Sequence, residues 1–409
     1  MELKPGYKQS EVGVIPDDWM INRIIDCADY VDYRGKTPSK VLSGILLVTA
    51  RNIRAGFIDY DLSQEFIAEA DYESVMRRGK PCIGDVLITT EAPLGMVALA
   101  DREDIALAQR VIKYRGKASK VKSDYLKYYF LSSKFQTILD DHGTGSTAKG
   151  IKGSVLHQLP VILPPLTEQA AIATTLSDVD DLLAKLDQLI AKKRDLKLAA
   201  MQQLLTGQIR LPGFSGEWSV KRLGEIGEAL IGLTYSPSNV KSDGLLVLRS
   251  SNIYEGRLRF EDNVYVDIDV PEKIIVRNGD ILICVRNGSR ELIGKCALIN
   301  TKSQGLTFGA FMAVFRTPFH PFVFHQFQSG MIKRQINEHL GATINQITNK
   351  SLNSFRIPFP LDAEEQNAIA TVLSDMDVEF SALEARRDKT KDLKQGMMQE
   401  LLTGRIRLL

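Results

Sequence analysis

One long segment of this chain occurs twice, about half a chain apart. Residues 168–211 and residues 365–408 align without a gap, and about 24 of the 44 aligned positions are identical. The offset of about 197 residues is far longer than the period of a solenoid repeat. The chain of 409 residues is therefore expected to be one large unit followed by its duplicate, related by a pseudo-two-fold axis.

Each copy of the repeat has the apolar spacing of one long helix. In the first copy the apolar residues recur in alternating steps of four and three, at Ile172, Leu176, Val179, Leu183, Leu186 and Ile190. The second copy repeats the pattern at Ile369, Leu373, Met376, Phe380 and Leu383. This spacing is a heptad seam, and Gly207 is a C-terminal stop for the first helix. Helices of about 40 residues extend about 60 Å.

An amphipathic helix of that length needs a partner, and two matching helices on one chain can pair with each other. We predict that they pair antiparallel within the chain; the alternative is a coiled coil that only joins two chains. Polar residues interrupt the seam towards the C-terminal end of both copies, which indicates that this end of each helix is less buried or contacts another protein. The residues assigned to subunit docking are Lys193, Lys197, Arg387 and Lys394.

The segments that precede the two helices also match, although faintly. Four landmarks recur: Trp19 and Trp218, Arg51–Gly56 and Ser251–Gly256, Gly84–Ile88 and Gly279–Ile283, and Gly145–Ile151 and Gly341–Ile347. Between them lie short β-type runs separated by glycine and Asn/Asp turns. The fold class predicted is α+β, with two mixed α/β domains and two long helices as an antiparallel coiled coil. The predicted boundaries are 1–165, 166–207, 208–362 and 363–409.

This layout, together with the helix entry, resembles a known family. The first entry reads P-P-L-T-E-Q-A-A-I-A-T-T-L from Pro164 to Leu176, and the second keeps E-Q-x-x-I-A from Glu365 but loses the second proline. Both features, and the G-D-V-L-I landmark, resemble the specificity subunits of type I restriction–modification enzymes. The resemblance covers nearly the whole chain, and its specificity lies in the order and duplication of the motifs.

The resemblance implies a non-catalytic DNA-binding subunit. Each variable domain would be a target recognition domain for one half of a bipartite site in double-stranded DNA, and the helix pair would set the spacing. The helices would dock two methyltransferase subunits, and the complex would recruit nuclease/translocase subunits. Because the recognition loops differ between the halves, the full site is expected to be asymmetric. A stiff helical spacer fixes register where a flexible linker would not.

Motifs for catalysis are missing from the sequence. Gly143–Gly150 resembles a phosphate-binding loop but has Ala148 in place of the second glycine, so a glycine-rich turn is favoured. No N/D-P-P-Y/F motif of adenine methyltransferases is present, and the five histidines lack zinc-ligand spacing. No cofactor or metal is expected. The remaining alternatives are an enzyme in its own right and a coiled-coil scaffold that reads no sequence.

The net charge of +2 excludes a strongly basic tail, so positive charge for DNA must be gathered on particular faces. Four scattered cysteines favour a reduced, cytoplasmic setting, and no apolar run approaches a membrane span, so no membrane partner is expected. A run of six basic residues from Lys113 to Lys127 is either a phosphate-facing stripe or an ordinary solvated face.

Loops that mix Arg, Asn and Ser beside glycine are the candidate DNA contacts, because forked donors and amides read base edges while Lys and Arg bind phosphates. In the first half the candidates are Arg34, Lys36, Thr37, Thr49, Arg51, Asn52, Arg54, Gln109, Arg110, Lys149 and Lys152. In the second half they are Tyr235, Arg249, Ser250, Asn252, Arg286, Asn287, Ser289, Arg290, Asn345 and Gln346. The matched Asn52 and Asn252 are alternatively residues that hold a turn.

Overall fold

The computed structural model describes residues 4–35, 37–145, 148–340 and 345–408. The chain divides into two compact units: unit 1 is Met1–Asp187 with Arg386–Leu409, and unit 2 is Gln188–Ala385. Each unit therefore combines one globular domain with part of each long helix. This division differs from the predicted boundaries, which treat the helices as segments separate from the globular domains, and the reason is that the helices pack on the domains.

Unit 1 is a mixed α/β structure. Its strands are β1 (Tyr7–Ser10), β2 (Gly13–Pro16), β3 (Met20–Arg23), β4 (Ala28–Asp32), β5 (Ile45–Val48), β6 (Phe66–Ile67), β7 (Val86–Thr90), β8 (Leu94–Leu99), β9 (Ile105–Leu107), β10 (Val111–Gly116) and β11 (Pro160–Leu163). Its helices are α1 (Ile24–Cys27), α2 (Tyr72–Val75), α3 (Ser123–Leu131), α4 (Ser133–Asp141), α5 (Gly153–Leu156) and the start of α6 (Leu166–Leu204).

The four-stranded antiparallel sheet β4-β10-β7-β8 lies at the centre of unit 1. Strand β7 is buried throughout because both of its faces are covered: Val86 and Ile88 belong to the core that includes α3 and α4, while Leu87 packs against the residues of β5 and β9. Strands β5 and β9 pair in parallel, next to β6. The alternation of faces follows the two-residue period of a strand.

Unit 2 repeats this plan. Its strands are β12 (Trp218–Arg222), β13 (Glu228–Ile231), β14 (Val240–Lys241), β15 (Leu245–Leu248), β16 (Ile253–Tyr254), β17 (Arg257–Leu258), β18 (Tyr265–Val266), β19 (Ile281–Cys284), β20 (Cys296–Leu298), β21 (Thr307–Phe308), β22 (Met312–Arg316) and β23 (Arg356–Pro360). Its helices are α7 (Leu223–Ile226), α8 (His320–Gln328), α9 (Gly330–His339), α10 (Asn349–Ser354) and the start of α11 (Ala363–Leu401), with the end of α6.

The central four-stranded sheets and the parallel strand pairs of the two units correspond. The order β13-β22-β19-β20 in unit 2 matches β4-β10-β7-β8 in unit 1, and the parallel pair β15-β21 matches β5-β9. In β19, Ile281 and Ile283 face one core and Leu282 faces the other, as in β7. The predicted α+β fold with a tandem duplication is confirmed. No helix within the described residues is both long and apolar enough to cross a bilayer.

Within each unit the two long helices run antiparallel, as predicted. In unit 1, Asp180 near the start of α6 pairs with Lys394 of α11 at 2.5 Å, and Asp187 pairs with Arg387 at 3.8 Å. Residue numbers thus rise along one helix as they fall along the other. In unit 2, Lys193 pairs with Glu379 at 2.6 Å, and Lys197 pairs with Asp377.

The glutamate that recurs in both helix entries closes a matched anchor. In unit 1, Trp19 Nε1 donates to Glu168 at 3.0 Å, and Arg407 binds the same carboxylate at 2.8 Å. In unit 2, Trp218 Nε1 donates to Glu365 at 3.1 Å, and Arg210 binds that carboxylate. Both carboxylates are buried. The E-Q entry, the preceding tryptophan and the I-R-L tail of each copy therefore recur because they pack together.

Candidate nucleic-acid interface

The end of strand β7 meets two other segments of unit 1 through backbone hydrogen bonds. Thr90 N donates to Arg110 O at 3.0 Å, and Ile151 N donates to Thr90 O at 2.9 Å. Glu91 forms an antiparallel bridge with Gly150. We call Thr90, Glu91, Arg110, Gly150 and Ile151 the strand-end junction of unit 1. These contacts join the end of β7 to the loops around Arg110 and Gly150, which are distant from it in sequence.

An open cavity of about 420 Å³ lies over this junction. It brings together four of the sequence-predicted contacts, namely Arg34, Gln109, Arg110 and Lys152. A second cavity of about 360 Å³ shares Arg34 and Gln109 with the first and adds the predicted Thr37. Two further arginines line it, Arg77 and Arg78, which the sequence reasoning missed.

Among the charged side chains that line these cavities, cations outnumber the two carboxylates, Asp71 and Glu91. Arg34 pairs with Asp32 at 2.9 Å, and Arg78 donates to backbone carbonyls of Asp32 and Arg34. Arg110 lies 3.6 Å from the carboxylate of Glu91. The side chains of Arg77 and Lys152 have no hydrogen bond or ion pair within the part of the chain that the structure describes. A concave surface with surplus positive charge is suited to a phosphate backbone.

Other predicted contacts of unit 1 lie elsewhere or have partners. Lys149 pairs with Asp140 at 2.5 Å on the surface, and Lys36 lies outside the described residues. Arg51 and Arg54 are exposed on a turn that lines neither cavity. Thr49 belongs to the same turn.

Asn52 and its match Asn252 require a correction. Both are fully buried. Asn52 accepts from Thr49 N at 2.9 Å and donates to the carbonyl oxygens of Asp59 and Ser63. Asn252 accepts from Arg249 N at 2.9 Å and donates to Arg259 O at 3.0 Å. Side chains with every polar atom satisfied inside a turn are not available to bases, so both asparagines hold turns.

Unit 2 has a strand-end junction with the same backbone hydrogen bonds. Val285 N donates to Phe311 O at 3.1 Å, and Ile347 N donates to Val285 O at 2.8 Å. Arg286 forms an antiparallel bridge with Gln346. The strand-end junction of unit 2 is therefore Val285, Arg286, Phe311, Gln346 and Ile347.

Most predicted contacts of unit 2 gather at this junction. Asn287 Nδ2 donates to Ser250 Oγ at 3.2 Å, and Asn345 Nδ2 donates to Gly288 O at 3.0 Å. The guanidinium of Arg286 lies 5.0 Å from the ring centre of Phe311, which the sequence reasoning missed. Ser289 caps the same loop through its backbone N, which donates to Asn287 Oδ1 at 3.0 Å.

The remaining predicted contacts of unit 2 have local partners. Arg290 donates to Asn337 O at 3.0 Å, and Arg249 pairs with Asp262 at 2.7 Å. Tyr235 is partly buried against a small apolar cluster that includes Val247. These three residues border the loops of the junction without belonging to it.

The basic run from Lys113 to Lys127 is not one phosphate-facing stripe. Lys113 and Arg115 bind the buried Asp85, with Arg115 at 2.6 and 2.9 Å, and Lys127 is itself buried. Burial opposes ionisation of Asp85, but the hydrogen bonds from Arg115 and the charge of Lys113 outweigh it and hold the pKa of this carboxyl below its usual range. Asp280 and Arg316 form the matched pair in unit 2.

The chain thus has two matched α/β domains, and each carries a polar junction and packs on an antiparallel helix pair. This arrangement defines a tandem-duplicated recognition protein rather than a protein with a single binding site. The model of the type I restriction modification DNA specificity domain matches residues 16–192 and again residues 215–391. The chain belongs to this family.

One relative and one solved structure match this chain over nearly its full length, and another relative matches about half of it. The chain is 22% identical to the specificity subunit of the type I restriction enzyme MjaVIII of Methanocaldococcus jannaschii, over 96% of this chain and 94% of the relative. It is 28% identical to the EcoKI specificity subunit of Escherichia coli K12 over 46% of this chain and 42% of the relative. The S subunit of M. genitalium has the same fold, with a TM-score of 0.61 at 15% identity and 98% coverage of both chains.

Proposed function

We propose that this chain is the sequence-specificity subunit of a type I restriction–modification complex, and that each unit reads one half of a bipartite, asymmetric DNA site. The observation that carries the proposal is the duplicated strand-end junction, which presents a different set of polar side chains on the same backbone in each unit. Base edges specify sequence while phosphates position the protein, and the junction of unit 1 places side chains suited to bases beside the cations Arg34, Arg110 and Lys152.

Sequencing of DNA methylation in the source cell, with and without this gene, tests the proposal. We expect one bipartite motif to lose its methylated adenines when the gene is removed. Replacement of residues 1–165 by the corresponding domain of a relative should change one half of the motif only. A purified chain that methylates DNA without added subunits, or a replacement that leaves the whole motif unchanged, would contradict the proposal.

We further propose that the long helices dock two methyltransferase subunits and, through them, nuclease/translocase subunits. Lys193, Lys197, Arg387 and Lys394, which were assigned to docking, all form ion pairs between the helices. Exposed apolar side chains offer a contact in addition: Leu196 of α6 is 49% exposed, and Leu393, at the matching position of α11, is 60% exposed. Matched surfaces fit two copies of one partner.

Co-purification with the methyltransferase subunit tests this docking. Leu196→Glu and Leu393→Glu place a charge on the proposed contact, so each should remove one methyltransferase copy, which a mass measurement of the complex detects. Leu62→Glu, at a residue of unit 1 that is 51% exposed and outside the helices, is the control and should retain both copies. Retention of both copies by the helix variants would exclude these leucines from docking.

A further inference from the structure

We propose that the strand-end junction of each unit reads a base pair, and that the two junctions present opposite hydrogen-bonding polarity. Arg286 of unit 2 donates to a guanine, and Glu91 of unit 1 accepts from the amino group of a cytosine or an adenine. This inference rests on the proposed function, because it assigns particular residues to the DNA reading described there.

The two residues occupy the same place in the fold. Each comes after the central strand that begins within a G-D-[VI]-L-I landmark, and each forms an antiparallel bridge, Glu91 with Gly150 and Arg286 with Gln346. The backbone hydrogen bonds that hold them also correspond, from Thr90 to Arg110 O and from Val285 to Phe311 O. The same backbone arrangement therefore presents the carboxylate of Glu91 in unit 1 and the guanidinium of Arg286 in unit 2.

In unit 2 the chemistry is that of a donor. Arg286 is exposed, and within the described residues its guanidinium contacts the ring of Phe311 at 5.0 Å and forms no ion pair. Stacking on an aromatic face holds the guanidinium plane while leaving the N–H groups at its edge unoccupied. Two parallel N–H groups match the O6 and N7 acceptors of guanine in the major groove.

In unit 1 the position has reversed polarity. Glu91 is an acceptor, it is half-exposed, and it lies 3.6 Å from Arg110, the residue that corresponds to Phe311. An ion pair between two exposed side chains contributes little to stability, so a structural role does not explain why a glutamate stands at position 91. A carboxylate among Arg34, Arg110 and Lys152 would repel phosphates, but it can accept a hydrogen bond from cytosine N4 or adenine N6.

Methylation motifs of variant complexes in a host that lacks other DNA methylation test the inference. Arg286→Gln should lower the preference for one guanine in one half of the site by about tenfold to a hundredfold. Glu91→Gln should relax one position in the other half, because the amide can also donate. Each change should leave the opposite half intact. The matched controls are Arg277→Gln and Glu69→Gln, at exposed residues outside the junctions.

The outcomes separate the two proposals. A wild-type complex that yields no bipartite motif would overturn the proposed function itself. A wild-type motif that both variants leave unchanged would overturn only the reading by the junctions. If a folded variant complex loses methylation entirely, its binding to duplexes substituted at each position decides: loss of preference at one base pair supports the inference, and equal loss at every position overturns it.

Discussion

At the scale of single residues, the most constrained groups are charges buried where the helices begin. Glu365 has no exposed surface, and its carboxylate accepts hydrogen bonds from both Arg210 and Trp218. A buried carboxylate with two donors is satisfied only as long as both donors remain in place, because an unpaired partner in a dry site is costly.

We therefore expect Glu365→Ala to lower the free energy of unfolding by about 3 kcal/mol, since it leaves Arg210 without its counterion in a partly buried site. Its neighbour Glu364 is exposed, and Glu364→Ala should change stability by less than about 0.5 kcal/mol. Urea unfolding followed by the fluorescence of Trp218 measures both. Equal stability of the two variants would show that the anchor does not stabilise unit 2.

A buried histidine makes unit 2 sensitive to acid. Burial, with a smaller effect of Lys197, lowers the pKa of His325 to about 4, and its Nε2 lies 3.1 Å from Ser374 Oγ. As the pH falls, His325 of the unfolded chain takes up a proton near pH 6.5, whereas His325 of the folded chain takes it up only near pH 4. Stability is therefore complete above that pH and is lost as the pH falls from about 6.5 to about 4.

The expected loss over this window is at most about 3 kcal/mol, and urea unfolding at several pH values measures it. His325→Gln should flatten the dependence between pH 6.5 and pH 4. His339→Gln, at an exposed residue of the same unit, should keep it. An unchanged slope in His325→Gln would mean that other groups cause the acid sensitivity.

At the scale of elements, the seam of each long helix carries the packing. Leu373 is fully buried in the core of unit 2, whereas its neighbour Val372 is 37% exposed. Leu373→Ala should cost about 2–5 kcal/mol because it removes buried methyl groups and leaves a cavity. Val372→Ala should cost less than about 1 kcal/mol, and similar urea midpoints for the two variants would contradict the assigned seam.

The sequence predicted the elements that repeat and those with a strong period. Leu176 and Leu373 marked the seams, and the predicted helix starts at residues 166 and 363 coincide with α6 and α11. The parallel pairing of β5 with β9 was not predictable, because it depends on contacts distant in sequence rather than on local propensity.

The site could be predicted in part. Loop composition selected Arg34 and Arg286 as candidates, and both lie at the proposed interface, but it could not distinguish the buried Asn52 from an exposed asparagine, since polarity does not report burial. Glu91 was not among the candidates because no acidic residue was considered. The alignment of the two G-D-[VI]-L-I landmarks would have found it, since Glu91 and Arg286 follow them at equal distances.

At the scale of the whole molecule, cations that face phosphates should set affinity without setting the sequence that is read. Arg77→Ala and Lys152→Ala should each weaken DNA binding at all sequences and reduce the slope of log K against log salt by about 1. Lys185→Ala, at an exposed residue of α6, is the control and should leave the slope unchanged. A changed methylation motif in either cavity variant would mean that the residue reads bases.

The Trp19–Glu168–Arg407 anchor also has a consequence for biosynthesis. Trp19 emerges from the ribosome well before Arg407, the arginine that binds beside it, because Arg407 lies 388 residues later in the sequence. The carboxylate of Glu168 therefore lacks Arg407 until the second globular domain and helix α11 have been translated. A stop codon just before Arg407 would leave the proposed DNA-contacting loops of both units in place, but the buried carboxylate of Glu168 would lack its arginine partner.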